Sequence, residues 1–283
     1  MQQLFKSLKL IFTHPFNRGR HIHTFLKLVW WKVNQIMFQF PVIYQITPNR
    51  KCICYPGSSY GGLFIYLGMP EYEGNMYVLN NLKPNDTFID VGACIGDYSL
   101  FASSIITSGH IYAFEPFGKS VKMFEENIRL NNIKNITIYR GVASDKNGYE
   151  YLSIEEESEV NHIAHEKSAG NRVRIPSITL DRYITVNDIN RVAILKIDVE
   201  GSEMKVLKGA EESIQKGKIK RILIELNKNN QFFGTSNQKI ISWLKDHQYT
   251  IYLFKEDKIR KMNNLNEIGN DQIINVLALK FPQ

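Results

Sequence analysis

The stretch that most constrains the fold is TFIDVGACIGDYSL at residues 87–100. Phe88, Ile89 and Val91 form a short apolar run of the kind found in a central parallel strand. Gly92 and Gly96 then permit a tight turn and close approach of the backbone to a ligand. Apolar residues recur at helical spacing after the turn. The stretch therefore predicts a strand, a loop and a helix, with a ligand held at the carboxyl end of the strand.

Strand and helix patterns alternate through the rest of the chain, which predicts βαβ units and a parallel sheet. We expect strands at 87–91, 110–114, 136–142, 192–197, 221–226, 250–254 and 273–279, and helices at 97–107, 120–131, 180–185, 202–215 and 237–247. Paired strands at 149–154 and 172–175 flank a polar segment, 155–171. Upstream, we expect two helical stretches within residues 1–50, short strands at 51–55 and 63–67, and a helix at 76–82.

The basic character of the chain lies at its N-terminus. The formal net charge is +7, and residues 1–51 contain eight Lys and Arg but no Asp or Glu, the first acidic residue being Glu71. The remainder is nearly neutral. We divide the chain into a basic, apolar helical arm (1–50), a connecting region on the substrate side (51–82) and a catalytic domain (83–283).

The arm is also rich in aromatic and aliphatic residues, but it lacks the roughly 18–20 consecutive apolar residues of a spanning helix. Lys6 and Lys9 interrupt its first apolar stretch, which argues against a signal peptide. Two readings stay open: an amphipathic anchor on an anionic membrane surface, or helices packed against the catalytic domain. The thinly spread basic residues and the lack of a recognised motif argue against nucleic acid as a partner.

The three cysteines, Cys52, Cys54 and Cys94, form no disulfide framework and indicate a reducing compartment. We therefore expect a cytoplasmic protein, either free or peripheral to the inner face of the membrane.

The glycine loop differs from a dinucleotide fingerprint, because Cys94 and Ile95 stand where that pattern continues. Asp90 precedes the first glycine, and its carboxylate would repel a pyrophosphate but attract a cation. S-adenosylmethionine carries a sulfonium and an ammonium and no phosphate. The loop therefore suits this cofactor, with Asp90 as its electrostatic partner, while an ordinary strand-to-helix turn of an α/β protein stays an equal alternative for the loop alone.

Two further strand ends carry acids that suit a nucleoside. Glu115 follows the second strand, where a carboxylate can accept hydrogen bonds from both ribose hydroxyls. Asp145 follows the third strand, where it could accept a hydrogen bond from the adenine amine while the small Ala143 leaves room for the ring. The alternatives are a surface acid before Pro116 and an ordinary turn aspartate.

The fourth strand ends in LKIDVEGSE at residues 195–203, which is the strongest catalytic candidate. Asp198 and Glu200 could orient an acceptor hydroxyl or take its proton, and Glu225 ends the neighbouring strand. Paired carboxylates at adjacent strand ends could bind a divalent metal, for which Asp198 and Glu225 are the candidate ligands, or raise each other's pKa. His162 is a second candidate base, although most loop histidines are solvated.

The sequence resembles the FkbM family of S-adenosylmethionine-dependent methyltransferases. The resemblance covers roughly residues 63–227 and is carried by FIDVGACIGDYS (88–99), AFEP (113–116), Leu180-Asp181, LKIDVEGSE (195–203) and VLKGAE (206–211). It implies a class I methyltransferase fold with a seven-stranded, mostly parallel sheet and an antiparallel last strand. The family usually has Asn at the position of Cys94. The expected cofactor site comprises Asp90, Gly92, Ala93, Cys94, Gly96, Tyr98, Ser99, Glu115, Pro116, Ala143, Ser144 and Asp145.

The resemblance implies O-methylation, often of sugar or polyketide hydroxyls. Residues 66–71, YLGMPE, are similar to those of members associated with polysaccharide gene clusters. We therefore expect methyl transfer to a hydroxyl of a small-molecule or glycan acceptor, such as a sugar in a polysaccharide or glycoconjugate. The alternatives are a nicotinamide-dependent oxidoreductase, against which Asp90 and the missing third glycine argue, and a non-catalytic scaffold that binds a membrane or partner through the arm.

Overall fold

The computed structural model of the chain describes residues 11–153, 172–255, 258–269 and 272–281. The strands are β1 (Val42–Thr47), β2 (Arg50–Cys54), β3 (Thr87–Val91), β4 (His110–Phe114), β5 (Ile136–Tyr139), β6 (Val142–Ala143), β7 (Gly148–Ser153), β8 (Arg172–Ile178), β9 (Ile194–Ile197), β10 (Arg221–Leu226), β11 (Thr250–Lys255), β12 (Lys258–Lys261) and β13 (Ile274–Leu279). The α-helices are α1 (His21–Val33), α2 (Ser59–Leu67), α3 (Tyr72–Asn81), α4 (Asp97–Ser103), α5 (Gly118–Leu130), α6 (Leu180–Val186), α7 (Glu203–Lys208), α8 (Glu211–Gln215) and α9 (Asn237–Asp246). Short 3₁₀ or π turns lie at Pro15–Asn17, Asn34–Phe38, Lys228–Phe233 and Leu265–Glu267.

The central sheet has the strand order β12-β11-β13-β10-β9-β3-β4-β5. The run from β5 to β10 is parallel, and β13 is antiparallel to both of its neighbours. This confirms the expected class I methyltransferase fold, with one correction: in the described residues the sheet has eight strands rather than seven. The added strand, β12, forms an edge hairpin with β11, and the sequence does not reveal it because its residues, KIRK, are all exposed.

The register of the central strands places residues of the candidate site next to one another. Asp90 on β3 pairs with Ala113 on β4 and with Lys196 on β9. All four residues of β9 are buried, and α4 is buried along its whole length. The apolar runs in β3 and β9 therefore fill the core, while the strand ends remain available for the loops.

The expected pairing after β6 is present in a second sheet of order β6-β8-β7, in which β7 and β8 are antiparallel. The expected single helix at 202–215 is wrong, because it divides into α7 and α8 around Gly209. A Cβ on Gly209 would lie 2.0 Å from the Ser144 carbonyl oxygen, so the close contact between the chain at Gly209 and the backbone of Ser144 requires glycine.

The N-terminal region differs from its expected structure in two places. Val42–Thr47, within the region expected to be a helical arm, is a strand, since the helical stretch ends before Pro41, as expected, and a β-branched segment follows. Residues 63–67 belong to α2 rather than to a strand, because Ser58 caps the helix by accepting a hydrogen bond from the Gly61 amide at 3.2 Å. This segment is apolar on nearly all sides, so its periodicity does not distinguish helix from strand.

In the part of the chain that the structure describes, no helix has both the length and the hydropathy needed to cross a bilayer.

Candidate active site

A cavity of about 270 Å³ lies at the carboxyl ends of β3, β4 and β9. Apolar walls come from Val91, Phe114, Val142, Ala143 and Leu152. Among the described residues that line it, six carry a carboxylate and one is a lysine: Glu71, Asp97, Glu115, Asp198, Glu200, Glu225 and Lys196. The cavity therefore combines an apolar pocket with a surplus of negative charge.

The glycine loop after β3 forms one side of the cavity. Gly92 has φ +79°, and a Cβ there would lie 1.7 Å from the Asp198 carbonyl oxygen. Gly96 has φ +87°, and a Cβ there would lie 2.1 Å from the Phe124 ring. Both glycines are therefore required by close packing as well as by φ. Cys94, between them, adopts φ +48° and lines the cavity.

Glu115 joins the glycine loop to the loop after β4. Its Oε2 accepts a hydrogen bond from the Cys94 amide and its Oε1 accepts one from the Phe117 amide, each at 2.8 Å. Burial raises the pKa of Glu115 to about 7, although these two hydrogen bonds oppose the shift. Because a carboxylate offers about four acceptor positions, two remain after these bonds. Glu115 and the adjacent Pro116 both line the cavity.

Asp90 lies within the fold rather than on the cavity wall. It is fully buried, and its Oδ2 accepts a hydrogen bond from the Ser99 hydroxyl at 2.6 Å. Its Oδ1 lies 3.8 Å from Lys196 Nζ. Burial raises the pKa of Asp90, and the Lys196 charge opposes that shift. The cation beside Asp90 is therefore the Lys196 side chain of the protein itself. Because Asp90 is fully buried, the structure does not place it in the direct contact with a ligand cation that we expected from the sequence.

Lys196 links the two central strands and the acids around the cavity. Its Nζ donates to Asp198 Oδ2 and to the Gly92 carbonyl oxygen, both at 3.3 Å, and lies 4.9 Å from the centre of the Tyr98 ring. Burial lowers the pKa of Lys196, but the charges of Asp198 and Asp90 outweigh burial and raise it above its ordinary value. Lys196 is not among the site residues predicted from the sequence, although a lysine inside an apolar strand is a signal of a buried charge.

Three carboxylates from distant parts of the chain converge beside Lys196. One oxygen each from Glu71, Asp198 and Glu225 lie within 4.8 Å of one another. Burial, together with the charges of Asp198 and Glu71, raises the pKa of Glu225 to about 9. This confirms the spatial proximity expected for Asp198 and Glu225 and adds Glu71, whose contribution required the folded structure.

Glu71 is held in place by two tyrosines. Tyr60 Oη donates to its Oε1 at 3.0 Å and Tyr98 Oη donates to its Oε2 at 2.9 Å, while Asn275 Nδ2 lies 3.3 Å from Oε2. Tyr98, an expected cofactor contact, is thus a buried support for Glu71. These contacts fix the carboxylate at the cavity wall.

Asp97 lines the cavity but is not among the predicted site residues, although it opens α4 directly after the glycine loop. It is nearly fully buried, and its Oδ2 has no hydrogen-bond partner among the described residues. Burial raises the pKa of Asp97 to about 8, with a further contribution from the charge of Glu71. An unpartnered buried oxygen on a cavity wall indicates a place for a donor group of a ligand.

The loop after β9 presents Glu200 to the cavity. Glu200 has φ +52°, and its Oε2 accepts hydrogen bonds from Asn229 at 3.1 Å and Asn227 at 3.3 Å. Burial and the charge of Asp198 raise the pKa of Glu200 to about 7. Glu203 lies beneath the loop, where its Oε1 accepts from the amides of Val199 and Gly201 and so supports the turn.

The expected adenine contacts divide into two groups. Ala143, with Val142, lines the cavity. Ser144 is buried and its hydroxyl donates to Glu150 at 2.9 Å, while Asp145 is exposed on the turn that follows. The structure therefore brings Ala143 to the site but leaves the Asp145 carboxylate at the surface. His162, the second candidate base, lies outside the described residues.

A family model described as the methyltransferase FkbM domain matches residues 90–251, which is more than half of the chain. The chain belongs to the FkbM methyltransferase family. It is 25% identical over 150 residues to the hexuronic acid methyltransferase AglP of Haloferax volcanii, covering 53% of this chain and 59% of AglP. It is 22% identical over 200 residues to the 31-O-demethyl-FK506 methyltransferase FkbM of Streptomyces tacrolimicus, covering 60% of this chain and 75% of the relative.

Among solved structures, the chain has a partial similarity to a SAM-dependent O-methyltransferase from Thermotoga maritima. The identity is 15% and the TM-score 0.39, with 74% of this chain and 63% of the other covered.

Proposed function

We propose that this FkbM-family protein is an S-adenosylmethionine-dependent O-methyltransferase that uses the cavity at the ends of β3, β4 and β9. The observation that carries the proposal is the pairing of a glycine loop, anchored by Glu115, with a wall of carboxylates around Lys196. A surplus of negative charge suits a ligand that carries a sulfonium and an ammonium.

The residues present fit such a methyl donor. Glu115 retains acceptor positions for ribose hydroxyls, and Ala143 and Val142 provide an apolar surface for the adenine. The unpartnered Asp97 Oδ2 suits the ammonium of the amino-acid part. When bound, S-adenosylmethionine supplies a methyl group already activated by its sulfonium, so the protein chiefly aligns donor and acceptor.

We propose that a carboxylate of this cluster accepts the proton of the acceptor hydroxyl. Asp198 lines the cavity, where its Oδ2 lies 3.3 Å from Lys196 Nζ, and its carboxylate is the candidate acceptor of that proton. Glu225, with a pKa of about 9, is protonated at neutral pH and can donate a hydrogen bond to the acceptor. Glu200 is a further orienting group, held by its two asparagines. His162 stays a second candidate for the base.

The carboxylate trio of Glu71, Asp198 and Glu225 also has the donor set of a divalent cation site. Activity is therefore to be measured with magnesium and with a chelator. Inhibition by the chelator that magnesium reverses would assign a metal to the trio, whereas equal rates would assign proton transfer to the carboxylates alone.

For the acceptor we propose a hydroxyl of a sugar in a polysaccharide or glycoconjugate. The name of AglP, a hexuronic acid methyltransferase, supports a sugar, and the name of the Streptomyces relative supports an oxygen acceptor. We keep the proposed division into an arm (1–50), a substrate-side region (51–82) and a methyltransferase domain (83–283). Tyr60, Leu63 and Glu71 of the second segment line the cavity, which supports its placement on the substrate side. We propose a cytoplasmic location, since the chain forms no disulfide framework.

Calorimetric titration of the folded protein with S-adenosylmethionine, and separately with NADH, tests the cofactor. We expect binding of the first and none of the second. Binding of NADH alone would favour the oxidoreductase alternative, and binding of neither would favour the non-catalytic scaffold.

A further inference from the structure

The outward face of α1 is apolar, which reverses the usual pattern of a surface helix. Thr24, Leu28 and Trp31 pack inward. The opposite side exposes six large apolar side chains, of which Ile22 is 80% exposed and Leu26 59%. We call this set the α1 face: Ile22, Phe25, Leu26, Val29, Trp30 and Val33.

The apolar surface continues past the end of α1. In the π turn Asn34–Phe38, Ile36 is 76% and Met37 70% exposed. Residues 22–38 span about 25 Å at the rise of an α-helix. Soluble proteins rarely leave a contiguous apolar surface of this extent uncovered unless it binds something.

The helix that carries this face is firmly attached to the body of the protein. A Cβ on Gly62 of α2 would lie 2.6 Å from Trp31 Nε1, so the indole packs directly against the glycine. Asn17 Nδ2 donates to the Tyr66 carbonyl oxygen at 3.3 Å, and Gln35 Nε2 donates to that of Pro56 at 2.8 Å. The exposure is therefore a property of the folded surface and not of a loosely held helix.

The border of the α1 face is basic. Arg18 and Arg20 are exposed before the helix, while Lys27 and Lys32 are half-buried along it. Burial and the positive charge of Arg20 lower the pKa of Lys27, which shows that like charges lie near each other here. The sequence contains no acid before Glu71. An anionic partner would relieve this repulsion.

We propose that the α1 face, with Ile36 and Met37, lies in the interface of a lipid bilayer that contains anionic lipid. A second copy of the chain fits less well, because a two-fold contact would bring the same basic border against itself. A bilayer supplies both an apolar layer for the aliphatic side chains and phosphates for the flanking cations. Trp30 suits the boundary between these layers.

Flotation of the full chain with phosphatidylcholine vesicles, with and without phosphatidylglycerol, tests the proposal without any methyl donor. We expect flotation with the anionic vesicles, weakened by salt, and a blue shift of fluorescence that Trp30→Phe removes. The double variant Leu26→Asp/Val29→Asp changes two exposed side chains and should weaken partitioning at least about tenfold. The matched control is Val186→Asp, an equally polar change at an exposed apolar residue of α6, which should float like the wild type.

Three results would overturn the proposal. The first is no flotation of folded wild-type protein, and the second is equal flotation of the wild type and the double variant. The third is a dimer in sedimentation that the double variant dissolves while vesicles bind neither protein. Because none of these measurements involves S-adenosylmethionine, failure here is distinguishable from failure of the proposed enzymatic function.

Discussion

Replacing Lys196 with methionine should destabilise the protein in a pH-dependent manner. Methionine keeps most of the aliphatic volume but removes the charge that lies 3.8 Å from Asp90 and 3.3 Å from Asp198. Asp90 is fully buried, so the substitution leaves an uncompensated charge inside the fold. Breaking a buried pair in this way typically costs about 3–5 kcal/mol in the free energy of unfolding.

The pH dependence follows from the pKa of Asp90. Burial already raises that pKa, and loss of the opposing Lys196 charge raises it further. Below the new pKa, Asp90 becomes neutral and the cost of burying it shrinks; above it, the full cost applies. We therefore expect a small loss of stability near pH 5 and the full loss near pH 8, measured by urea denaturation at both pH values.

Two further variants test whether loss of the buried charge pair causes this destabilisation. Lys205→Met removes a partly exposed lysine 3.3 Å from Glu150, which Lys146 also neutralises at 3.4 Å, and should cost under about 1 kcal/mol. The double variant Lys196→Met/Asp90→Asn removes both buried charges and should recover much of the loss. A Lys196→Met protein as stable as the wild type near pH 8, or a double variant no better than the single one, would refute the assignment.

Three other predictions concern the cavity. Gly92→Ala should abolish cofactor binding in calorimetry or prevent folding, because its Cβ would lie 1.7 Å from the Asp198 carbonyl oxygen; retained affinity would contradict the packing. Glu115→Gln should weaken S-adenosylmethionine binding at least about tenfold by leaving one backbone amide without its acceptor, whereas Glu125→Gln on the surface of α5 should bind normally. The free energy of unfolding of the ligand-free protein should fall as the pH rises from about 6 to about 9. In the folded protein Asp97 and Glu225 have pKa values of about 8 and about 9, so they keep protons that the unfolded chain has released. Urea denaturation across this pH range checks the sign, and Glu225→Gln should reduce the dependence of stability on pH.

The central sheet is predictable from sequence where turn residues bracket a short apolar run. The observed bounds of β3, β4 and β10 equal the predicted ones, because each run is apolar and ends at a glycine, proline or polar residue. The same rule fails for residues 63–67, where an apolar run is buried as a helix. It also fails for β12, whose four residues are all exposed and therefore show no alternation of buried and exposed side chains.

The candidate site is predictable only where its residues follow strand ends. Glu115, Asp198 and Glu225 line the cavity as that rule implies. Glu71 reaches it through contacts with Tyr60, Tyr98 and Asn275, which are distant in sequence and meet only in the fold.

The role of Asp90 could not be read from the motif alone. It depends on the strand register that pairs Asp90 on β3 with Lys196 on the neighbouring β9, and this register is set by the whole sheet. The sequence pattern shows an acid before a glycine, whereas the folded chain already contains the cation that pairs with it.

A crystal structure with bound S-adenosylhomocysteine tests the central claim most directly. We predict the ribose hydroxyls on Glu115, the adenine against Val142 and Ala143, and the sulfur directed toward the carboxylates of Asp198 and Glu225. A nucleoside bound elsewhere, or one whose sulfur faces away from this carboxylate pair, would contradict the account.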